Sequence, residues 1–451
     1  MPGPHPPQIV LIVGAGEFGS TTALALAEGP YKGHGDLITV IDRGVEPPAV
    51  DAASSDYNKV RADYSDPVYQ KLALEAIEQW RTPRWSHLYH ECGTVVCCGT
   101  EDSQVNYVHT SHRLNQQSHP KDVTHLAKGK DIKALYKPGV RTGDFEGMEG
   151  YGNHAGGWAA TRDACLHTLN LARALGVRIQ TAEADSIITA PAPSTSTSSH
   201  PIARGVRTVD GREFTADVTV LACGSWMPRL LPELATSCLS TGQAVITILL
   251  NKEERERYKD MPISFFMDSG FYCFPPNKDG ILKMAIHNRG LLAPMGNLPS
   301  HPRTKLSKGY ENQGVPAASM AELKRGMKRV HPELGEWIET KLGEERLCWY
   351  SDRESGDFLV DYHPSYAQDS LFVAGGGSGH GAKFHPLVGG WAVSRMQGTL
   401  DPELCRLWAF YEDKSRLDKS RGEGPIIRRD LDTGKIVEVK TTNQDIVRAK
   451  L

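Results

Sequence analysis

The sequence predicts an α/β fold of two interleaved, discontinuous domains, and three short apolar segments carry that prediction. Each segment ends in glycine: IVLIV (9–13) precedes Gly14, VTVLA (218–222) precedes Cys223-Gly224, and LFVA (371–374) precedes Gly375. Short, continuously apolar runs of this kind are typical of strands buried in a parallel sheet. The chain of 451 residues is also about three times the common single-domain length, so more than one domain is expected.

The first segment begins a strand–turn–helix–strand unit. The turn GAGEFG (14–19) is followed by STTALALAE, whose small residues favour a helix packed on a sheet, and a second apolar run from Leu37 to Ile41 ends at Asp42. This order is typical of a Rossmann-like dinucleotide-binding unit, in which glycines let the pyrophosphate approach the backbone and the acid binds ribose hydroxyls. A turn without a nucleotide is the alternative.

The second and third segments repeat the glycine-terminated strand. A hairpin at Asp210-Gly211 precedes the strand that ends at Gly224. After LFVA, the glycines of 375–390 expose backbone N–H groups at the start of a helix, where these groups can hold an anion or an electron-rich ring oxygen. A plain flexible loop is the alternative there.

The rest of the chain predicts an α+β substrate domain built on a mixed or antiparallel sheet. Helices are predicted within 66–90, 161–176 and 318–343, with a break at Pro332, and residues 240–287 alternate as strands do. The predicted nucleotide-binding domain comprises 1–65, 150–240 and 346–451, and the predicted substrate domain comprises 66–149 and 241–345.

Composition favours a small-molecule partner. Lys plus Arg (51) nearly balances Asp plus Glu (54), so the chain carries no charge pattern for wrapping nucleic acid or binding an anionic membrane. No apolar run reaches the roughly 20 residues that a membrane span needs. The nine cysteines form no CxxC pair, so neither a metal site nor a disulfide framework is expected. The sequence carries no indication of oligomeric state, and a monomer is compatible with it.

The glycine segments, together with LCWYSDRESGDFLVDYHP (347–364), resemble the sarcosine oxidase and fructosyl amino acid oxidase family of FAD-dependent amine oxidases. The resemblance spans nearly the whole chain. Four further matches are specific: ASSDYNKV (53–60), HAGGWAATRDACL (154–166), FYCFPPNKDGILKMAIH (271–287) and GSGHGAKFHP (377–386). The resemblance implies a Rossmann-like FAD-binding domain interleaved with the substrate domain, and oxidation of the secondary amines of amino acids by dioxygen.

The resemblance also implies a covalent FAD site. Cys348 matches the cysteine that forms a thioether with the flavin's 8-methyl carbon in this family, whereas a free cysteine is otherwise most often a buried small hydrophobe. The other residues implied to contact FAD are Gly14, Gly16, Glu17, Phe18, Gly19, Asp42, Arg43, Ser54, Ser55, Asn58, Lys59, Gly224, Trp226, Gly377, Gly379, His380, Gly381, Ala382 and Lys383.

Three residues are implied to be catalytic. Lys283 matches the lysine that activates dioxygen above flavin N5, since a fixed cation lowers the barrier to forming superoxide. His287 lies four residues later, on the same face of a strand, and matches a histidine of sarcosine oxidase-like enzymes where fructosyl oxidases have a glutamate that holds the sugar. A satisfied core histidine is its alternative. Lys383 matches the lysine that pairs with the substrate carboxylate, which needs a charged partner in a desolvated pocket.

Further substrate contacts involve Arg61 and Tyr272. The arginine that fructosyl enzymes use as a second carboxylate partner has no counterpart in LWAFYEDKSR (407–416), and Arg61 is the substitute. Tyr272 is implied to wall the pocket, with ordinary core packing as an equal alternative. Lys59 matches a basic residue on the opposite face of the flavin, where it contacts either the cofactor or the substrate.

The sequence therefore predicts a FAD-dependent oxidase of a secondary amino acid that releases hydrogen peroxide. N-methyl amino acids, pipecolate-like cyclic imino acids and saccharopine-like adducts are all compatible substrates. A fructosyl amino acid oxidase, a flavin amine dehydrogenase with another electron acceptor, and a flavoprotein without catalysis are the alternatives. The tail Ala449-Lys450-Leu451 is a variant of the Ser-Lys-Leu peroxisomal signal, so a peroxisomal location is expected, and otherwise a cytoplasmic one.

Overall fold

The computed structural model describes residues 8–46, 48–53, 57–192, 199–421, 426–437 and 439. Two of the predicted cofactor residues, Ser54 and Ser55, lie outside the described residues, as does the tail from Ala449 to Leu451. Within the described part of the chain, no helix combines the length and the apolar character that a membrane span requires.

Strands and helices alternate along the described chain. The strands are β1 (Val10–Val13), β2 (Ile38–Asp42), β3 (Tyr57–Val60), β4 (Tyr89–Glu91), β5 (Thr94–Gly99), β6 (Val123–Leu126), β7 (Met148–Asn153), β8 (Gly157–Ala160), β9 (Arg178–Thr181), β10 (Ala184–Ala190), β11 (Ile202–Thr208), β12 (Glu213–Thr215), β13 (Val218–Leu221), β14 (Leu239–Leu249), β15 (Ile263–Phe266), β16 (Phe271–Cys273), β17 (Ile281–Ile286), β18 (Leu291–Leu292), β19 (Leu342–Asp352), β20 (Leu359–Tyr362), β21 (Leu371–Gly375), β22 (Arg428–Asp430) and β23 (Ile436–Val437). The helices are α1 (Glu17–Glu28), α2 (Pro67–Trp80), α3 (Val105–Ser118), α4 (Gly129–Lys133), α5 (Thr161–Ala174), α6 (Met227–Leu230), α7 (Lys252–Tyr258), α8 (Ala317–Val330), α9 (Pro332–Lys341), α10 (His385–Met396) and α11 (Pro402–Leu407).

One sheet joins the three glycine-terminated strands that the sequence predicts. Its order is β20-β21-β13-β1-β2-β9, and neighbouring strands run parallel except β20 and β21. Helix α1 crosses from β1 to β2 and packs against α5 and α10. Gly389 of α10 makes this packing close, because a Cβ there would lie 2.1 Å from the Thr21 carbonyl oxygen of α1. The predicted Rossmann-like architecture is confirmed.

A larger mixed sheet forms the base of the predicted substrate region. Within the described residues its order is β23-β22-β18-β14-β17-β16-β15-β5-β7-β6, with β19 paired to β14. The β15–β5 and β18–β22 pairs are parallel, and the others are antiparallel. Helices α8 and α9 bury Met327 and Ile338 in one apolar cluster with Met284 of β17. This mixed α+β arrangement confirms the predicted fold class.

Segment 240–287 contains a helix that its alternating pattern does not predict. Helix α7 begins after Asn251, whose side chain accepts from the Glu254 backbone N–H, while the Glu254 side chain accepts from the Asn251 N–H. Such a reciprocal capping box stabilises a short helix start. The strands on either side of α7 form as predicted.

Strand β19 connects the two sheet regions. It pairs with β14 from Leu342 to Asp352, so it belongs to the large sheet, and its last residues approach the parallel sheet. The predicted domain boundary at 346 falls inside this strand. Strands β22 and β23, from the C-terminal segment, also join the large sheet through β18. The division into two domains stays a prediction.

A small antiparallel sheet, β3-β8-β4, lies between these regions. Its strand β3 contacts β17 of the large sheet, because the Tyr57 hydroxyl donates to the Ile281 carbonyl oxygen at 3.2 Å. This contact brings the segment that follows Tyr57 next to Lys283. Residues far apart in the chain thus meet beside the end of the parallel sheet.

Candidate active site

A cavity lies at the carboxyl ends of the parallel strands. Val13, Ile41, Ala222 and Gly375, at the ends of β1, β2, β13 and β21, all contribute to its wall. Ligands of open parallel sheets bind at this edge, where strand ends and following helix starts leave a crevice. The cavity therefore occupies the position that the glycine segments predict.

The GAGEFG turn closes tightly under this cavity. Gly14 has φ +102°, and a Cβ there would lie 2.5 Å from the Ala222 carbonyl oxygen, so only glycine fits. The Asp42 carboxylate accepts from the backbone N–H of Ala15 at 2.8 Å and of Gly44 at 2.8 Å. Asp42 thus fixes the turn to the end of β2 while its side chain remains in the cavity wall.

The far wall of the cavity is aromatic and charged. The Arg43 guanidinium lies 4.2 Å from the centroid of the Trp226 ring and pairs with Asp51. On another side, the Asn58 amide donates to Thr161 Oγ1 at 3.0 Å. A flat ligand with polar edges could contact the Trp226 ring and bind the fixed amide dipole of Asn58.

The third glycine segment forms the opposite rim. A Cβ on Gly379, which has φ +70°, would lie 2.2 Å from the Tyr350 ring, so the loop packs directly on β19. The loop leads into a 3-10 helix (Gly381–Phe384) and then into α10. Buried Ser351 Oγ in the cavity wall has no hydrogen-bond partner among the described residues, and a ligand's polar group would satisfy it.

These features fit a dinucleotide cofactor such as FAD. The predicted cofactor residues that line the cavity are Gly14, Gly16, Glu17, Phe18, Asp42, Arg43, Asn58, Gly224, Trp226, Gly377, Gly379, Gly381 and Ala382. Five others are not part of its wall: Gly19, Lys59, Cys348, His380 and Lys383. A Cβ on Gly19 would lie 1.8 Å from the Gly14 carbonyl oxygen, so this glycine serves the tightness of the turn.

Glu17 is a titratable group in the cavity wall. Burial raises the pKa of its carboxyl to about 7, and the charge of Lys383 opposes that rise. The neutral form of this carboxyl therefore persists to higher pH than in an ordinary glutamate. Its electrostatic contact with Lys383 connects the cavity to a second group of residues.

That second group is a cluster of cations beside the cavity, which we call the cation cluster and define as Lys59, Arg61, Lys283 and Lys383. The four come from β3, the segment after it, β17 and the 3-10 helix that follows the third glycine segment. Lys59 lies within electrostatic reach of the other three. Burial and then the charges of Arg61, Lys383 and Lys283 hold the pKa of Lys59 well below its usual range. The sequence-predicted basic residues are thus brought together.

Lys59 rests on aromatic faces. Its Nζ lies 3.3 Å from the centroid of the Tyr272 ring and 3.9 Å from that of Phe265. Attraction to the ring quadrupoles partly replaces the lost water. Tyr272 therefore belongs to the lining of this cluster as well as to the core of the large sheet.

Arg61 is held by the backbone and not by a carboxylate. It is 3% exposed, donates to the Asp63 carbonyl oxygen, and its Nε has no hydrogen-bond partner among the described residues. The Asp63 carboxylate instead accepts from Tyr151, Asn153 and Thr94 at 2.9–3.0 Å. Arg61 thus keeps donor capacity for an anion.

Lys283 points from β17 toward the small sheet. Its Nζ donates to the Tyr57 carbonyl oxygen at 2.7 Å and lies 5.2 Å and 5.3 Å from the centroids of the Tyr57 and Phe274 rings. The ammonium group is fixed in an apolar setting. That placement suits a cation whose field acts on a small neutral molecule.

Lys383 is fixed by two oxygens. Its Nζ donates to the Tyr64 hydroxyl at 2.8 Å and to the His380 carbonyl oxygen at 2.7 Å. Burial and then Arg61 hold its pKa well below the usual range, and the carboxylates of Glu17 and Asp63 counteract this. A substrate carboxylate would supply the missing negative charge.

His287 lies directly after β17, next to the same cluster. Burial and then the charges of Arg421, Lys59 and Arg61 lower its pKa well below the usual range, so the imidazole is neutral. Its Nε2 lies 3.3 Å from Ser420 Oγ. Lys59 acts electrostatically on His287 and is itself affected by the charge of Lys283, so both residues lie near Lys59.

Sequence reasoning missed Arg421. Its guanidinium contacts both oxygens of the Asp352 carboxylate at 2.6 and 2.8 Å, and it donates to the Ser378 carbonyl oxygen of the third glycine segment. No spacing or motif around 421 indicates this role. Arg416, the last residue of the segment searched for a carboxylate partner, instead contacts Asp357 and Asp66.

Cys348 lies behind the cavity wall. It is buried in β19 opposite Gln243 of β14, in one apolar cluster with Tyr57, Trp158 and Tyr350. Tyr350, two residues later on the same face of the strand, lines the cavity. The thiol therefore stands beside the cavity and not in its wall.

Known proteins are similar to this chain in sequence and in architecture. The family described as FAD dependent oxidoreductase (DAO) matches residues 10–395. The chain is 31% identical over 416 residues to L-saccharopine oxidase of Schizosaccharomyces pombe, covering 90% of this chain and 93% of that protein. It is 27% identical over 487 residues to amino acid oxidase imqH of Aspergillus flavus, covering 90% and 98%. The crystal structure of fructosamine oxidase from Aspergillus fumigatus (Amadoriase II) matches with a TM-score of 0.78 and 26% identity over 96% of this chain and 98% of that one.

Proposed function

This chain belongs to the FAD dependent oxidoreductase family, and we propose that it is an oxidase acting on the secondary amine of an amino acid. The predicted family resemblance and the dependence on FAD are confirmed by the match and by the similar amino acid oxidases. Bound FAD would supply the two-electron oxidant for the C–H bond next to the amine nitrogen, and reduction of dioxygen by those electrons would give hydrogen peroxide.

The observation that carries the proposal is the cation cluster beside the cavity. Lys383 and Arg61 are each 3% exposed, and the described residues place no carboxylate in direct contact with either of them. Glu17 and Asp63 act on them only from a longer distance. A buried cation without a directly paired anion is costly, so a ligand anion is the simplest partner for both side chains. We assign the substrate carboxylate to Lys383, with Arg61 as its second contact.

The amine is oxidised in its unprotonated form. His287, a neutral imidazole, is suited to accept a hydrogen bond from the amine N–H or to orient it. Tyr272 and Lys59 would wall the other side of the substrate. The product is an imine, which hydrolyses or cyclises after release.

Lys283 favours an oxidase over a dehydrogenase. Its ammonium group is held on the Tyr57 carbonyl oxygen in an apolar setting. A fixed cation there stabilises the negative charge that dioxygen gains with its first electron. A dehydrogenase that passes electrons to a protein or quinone has no need of this arrangement.

A fructosyl amino acid oxidase is the second candidate. The fold match to fructosamine oxidase favours it. His287 counts against it, because the resemblance assigns a glutamate at this position to the enzymes that hold a sugar. Within the secondary amino acids, N-methyl, pipecolate-like and saccharopine-like compounds remain in the proposal.

Peroxide formation by the purified holoenzyme tests the function. The panel comprises sarcosine, N-methyl aromatic amino acids, pipecolate, saccharopine and a fructosyl amino acid, each assayed in air and with an artificial electron acceptor. We expect peroxide with at least one secondary amino acid. Turnover only with the artificial acceptor would indicate a dehydrogenase, and turnover only with the fructosyl compound would indicate the second candidate.

We propose further that Cys348 carries the flavin as a thioether. Its position two residues from Tyr350, on the same face of β19, supports this. Acid-precipitated protein should then remain yellow, and Cys348→Ala should release the colour into the supernatant. Cys273, buried in β16, offers a matched control, since Cys273→Ala should leave the pellet yellow. A colourless wild-type pellet would contradict the covalent link.

The cellular location is also a proposal. It depends on the Ala449-Lys450-Leu451 tail and on the peroxide product, since oxidases that form peroxide are suited to a compartment that contains catalase. Imaging of the full chain with and without these three residues tests it. An unchanged distribution after their removal would count against a peroxisomal address.

A further inference from the structure

A chain of hydrogen bonds extends from Lys383 through Tyr64 to His380. Lys383 Nζ lies 2.8 Å from the Tyr64 hydroxyl oxygen, which lies 2.8 Å from His380 Nδ1. His380 Nε2 in turn lies 2.7 Å from the Gly356 carbonyl oxygen. Neither Tyr64 nor its link to His380 is indicated by any sequence motif.

The chemistry of the end groups fixes the direction of every bond. A carbonyl oxygen only accepts, so His380 Nε2 carries a hydrogen that it donates to Gly356. Burial and then Lys383 hold the pKa of His380 well below its usual range, so the ring is neutral and Nδ1 has no hydrogen. Tyr64 must therefore donate to Nδ1, and its oxygen is left to accept from Lys383.

Lys383 consequently uses two of its N–H bonds on protein oxygens. The second acceptor is the His380 carbonyl oxygen at 2.7 Å. An ammonium group has three N–H bonds, so one remains for a ligand, and its direction is set by the other two. Both acceptors also stabilise the charged form of the lysine.

We propose that Tyr64 and His380 are positioning residues that keep the Lys383 ammonium group protonated and directed at the substrate carboxylate. This inference rests on the proposed function, in which Lys383 binds that carboxylate. Tyr64 touches no substrate itself. It acts through Lys383, and His380 acts through Tyr64 by accepting its proton.

The opposing influences on Lys383 make this role measurable. The charged and titratable groups that face it are Lys59, Arg61, Glu17, Asp63, Tyr64 and His380. Burial and Arg61 lower its pKa, whereas its oxygen contacts favour the ammonium form. A carboxylate binds the ammonium form, so affinity falls as pH rises through the pKa of Lys383. Loss of the Tyr64 oxygen moves that fall to lower pH.

The test is the pH dependence of acetate binding to the holoenzyme, followed by the change in flavin absorbance between about pH 6 and pH 10. Acetate is fully ionised throughout this range, so the midpoint belongs to the protein. We expect Tyr64→Phe to lower the midpoint by about one pH unit and to weaken binding about tenfold above it. Lys383→Met should remove the transition that Tyr64→Phe shifts, and any change that remains near pH 7 belongs to Glu17.

Tyr69→Phe is the matched control. The Tyr69 ring stacks on Tyr64 at 5.7 Å, but its hydroxyl contacts Trp408 Nε1 at 3.0 Å and the Phe358 N–H at 3.3 Å. Its loss should reduce stability and leave the midpoint at the wild-type value. Equal midpoints for Tyr64→Phe and Tyr69→Phe would overturn the proposal.

A second pair of variants keeps the test decisive if Tyr64→Phe does not fold. His380→Asn places an oxygen where Nδ1 stood, so it still accepts the Tyr64 proton, and it should retain a near wild-type midpoint. His380→Leu removes the acceptor, frees the Tyr64 proton to face Lys383, and should lower the midpoint. Equal midpoints for these two variants would contradict the role of His380.

The two proposals can fail separately. Absence of peroxide with every secondary amino acid would reject the proposed function, while the acetate midpoints would still decide the roles of Tyr64 and His380. Peroxide formation with unshifted midpoints would reject the positioning roles and leave the oxidase intact.

Discussion

The cofactor cavity and the cation cluster lie side by side, but different kinds of chemical group form them. The cavity wall is mostly backbone and small side chains at strand ends, with glycines from three segments. The cluster consists of long cationic side chains from four separate segments, held by carbonyl and hydroxyl oxygens and aromatic rings. The first region recognises a ligand by shape and backbone hydrogen bonds, and the second by charge.

The difference predicts opposite sensitivities to mutation. The cavity should be damaged by adding an atom, because its turns leave no room for one. The cluster should be damaged by removing a charge, because its long side chains act through their charges and hydrogen bonds. Variants that add one carbon or remove one ammonium group test this contrast directly.

We expect the largest effect from Gly14→Ala. The new Cβ would lie 2.5 Å from the Ala222 carbonyl oxygen, at a φ of +102° that alanine adopts only with strain of roughly 1–3 kcal/mol. The purified variant should carry little or no flavin, as measured by its visible absorbance per chain. Gly390→Ala is the control, since no atom lies within 4 Å of its Cβ position in α10, and it should keep full flavin content. A flavin-replete Gly14→Ala protein would show that the turn is not rigid.

The next effect is expected at Lys283. Lys283→Met keeps the length and apolar stem of the side chain and removes the charge, so flavin content should stay normal. Reoxidation by dioxygen should slow by about 100-fold, while reduction by substrate changes much less. Stopped-flow absorbance separates the two half-reactions. Lys278→Met, at an exposed turn after β16, should change neither, and equal losses in both half-reactions of Lys283→Met would contradict the assignment to dioxygen.

The same contrast explains how much the sequence could predict. Tight turns require glycine, so the turns at Gly14 and Gly379 can be predicted from the residue type alone. The strands before these turns can be predicted from their apolar runs. The Rossmann-like sheet and its cavity follow from these patterns. The cluster residues came only from the family resemblance, because a lysine on a strand such as Lys283 is otherwise indistinguishable from a solvated one.

No pattern in the sequence predicts several other contacts. Tyr64 meets His380 across 316 positions, and Arg421 meets Asp352 across 69. Such pairs arise from the docking of β3, β19 and the third glycine segment, which depends on long-range packing. Strand β19 shows the same limit, since its register with β14 carries it past the predicted boundary at 346.

The smallest expected effect concerns Glu17. Its carboxyl lies in the cavity wall and interacts electrostatically with Lys383 of the cation cluster. Its pKa is about 7 in the folded protein against 4.5 for an ordinary glutamate, so between these values the unfolded chain ionises first and stability falls as pH rises. Above about pH 7 the loss is complete. Glu17→Gln removes this ionisation, so the melting temperature should drop less between about pH 5 and pH 8 than in the wild type, by a few degrees.

Glu28→Gln, at the exposed far end of α1 beside Arg84, is the matched control and should reproduce the wild-type drop. If Glu17→Gln reproduces it as well, burial does not raise the pKa of this carboxyl, and the assignment is wrong. If the drop shrinks only in Glu17→Gln, burial raises the pKa of this one carboxyl in the backbone-built cavity, against the opposing charge of Lys383 in the cluster.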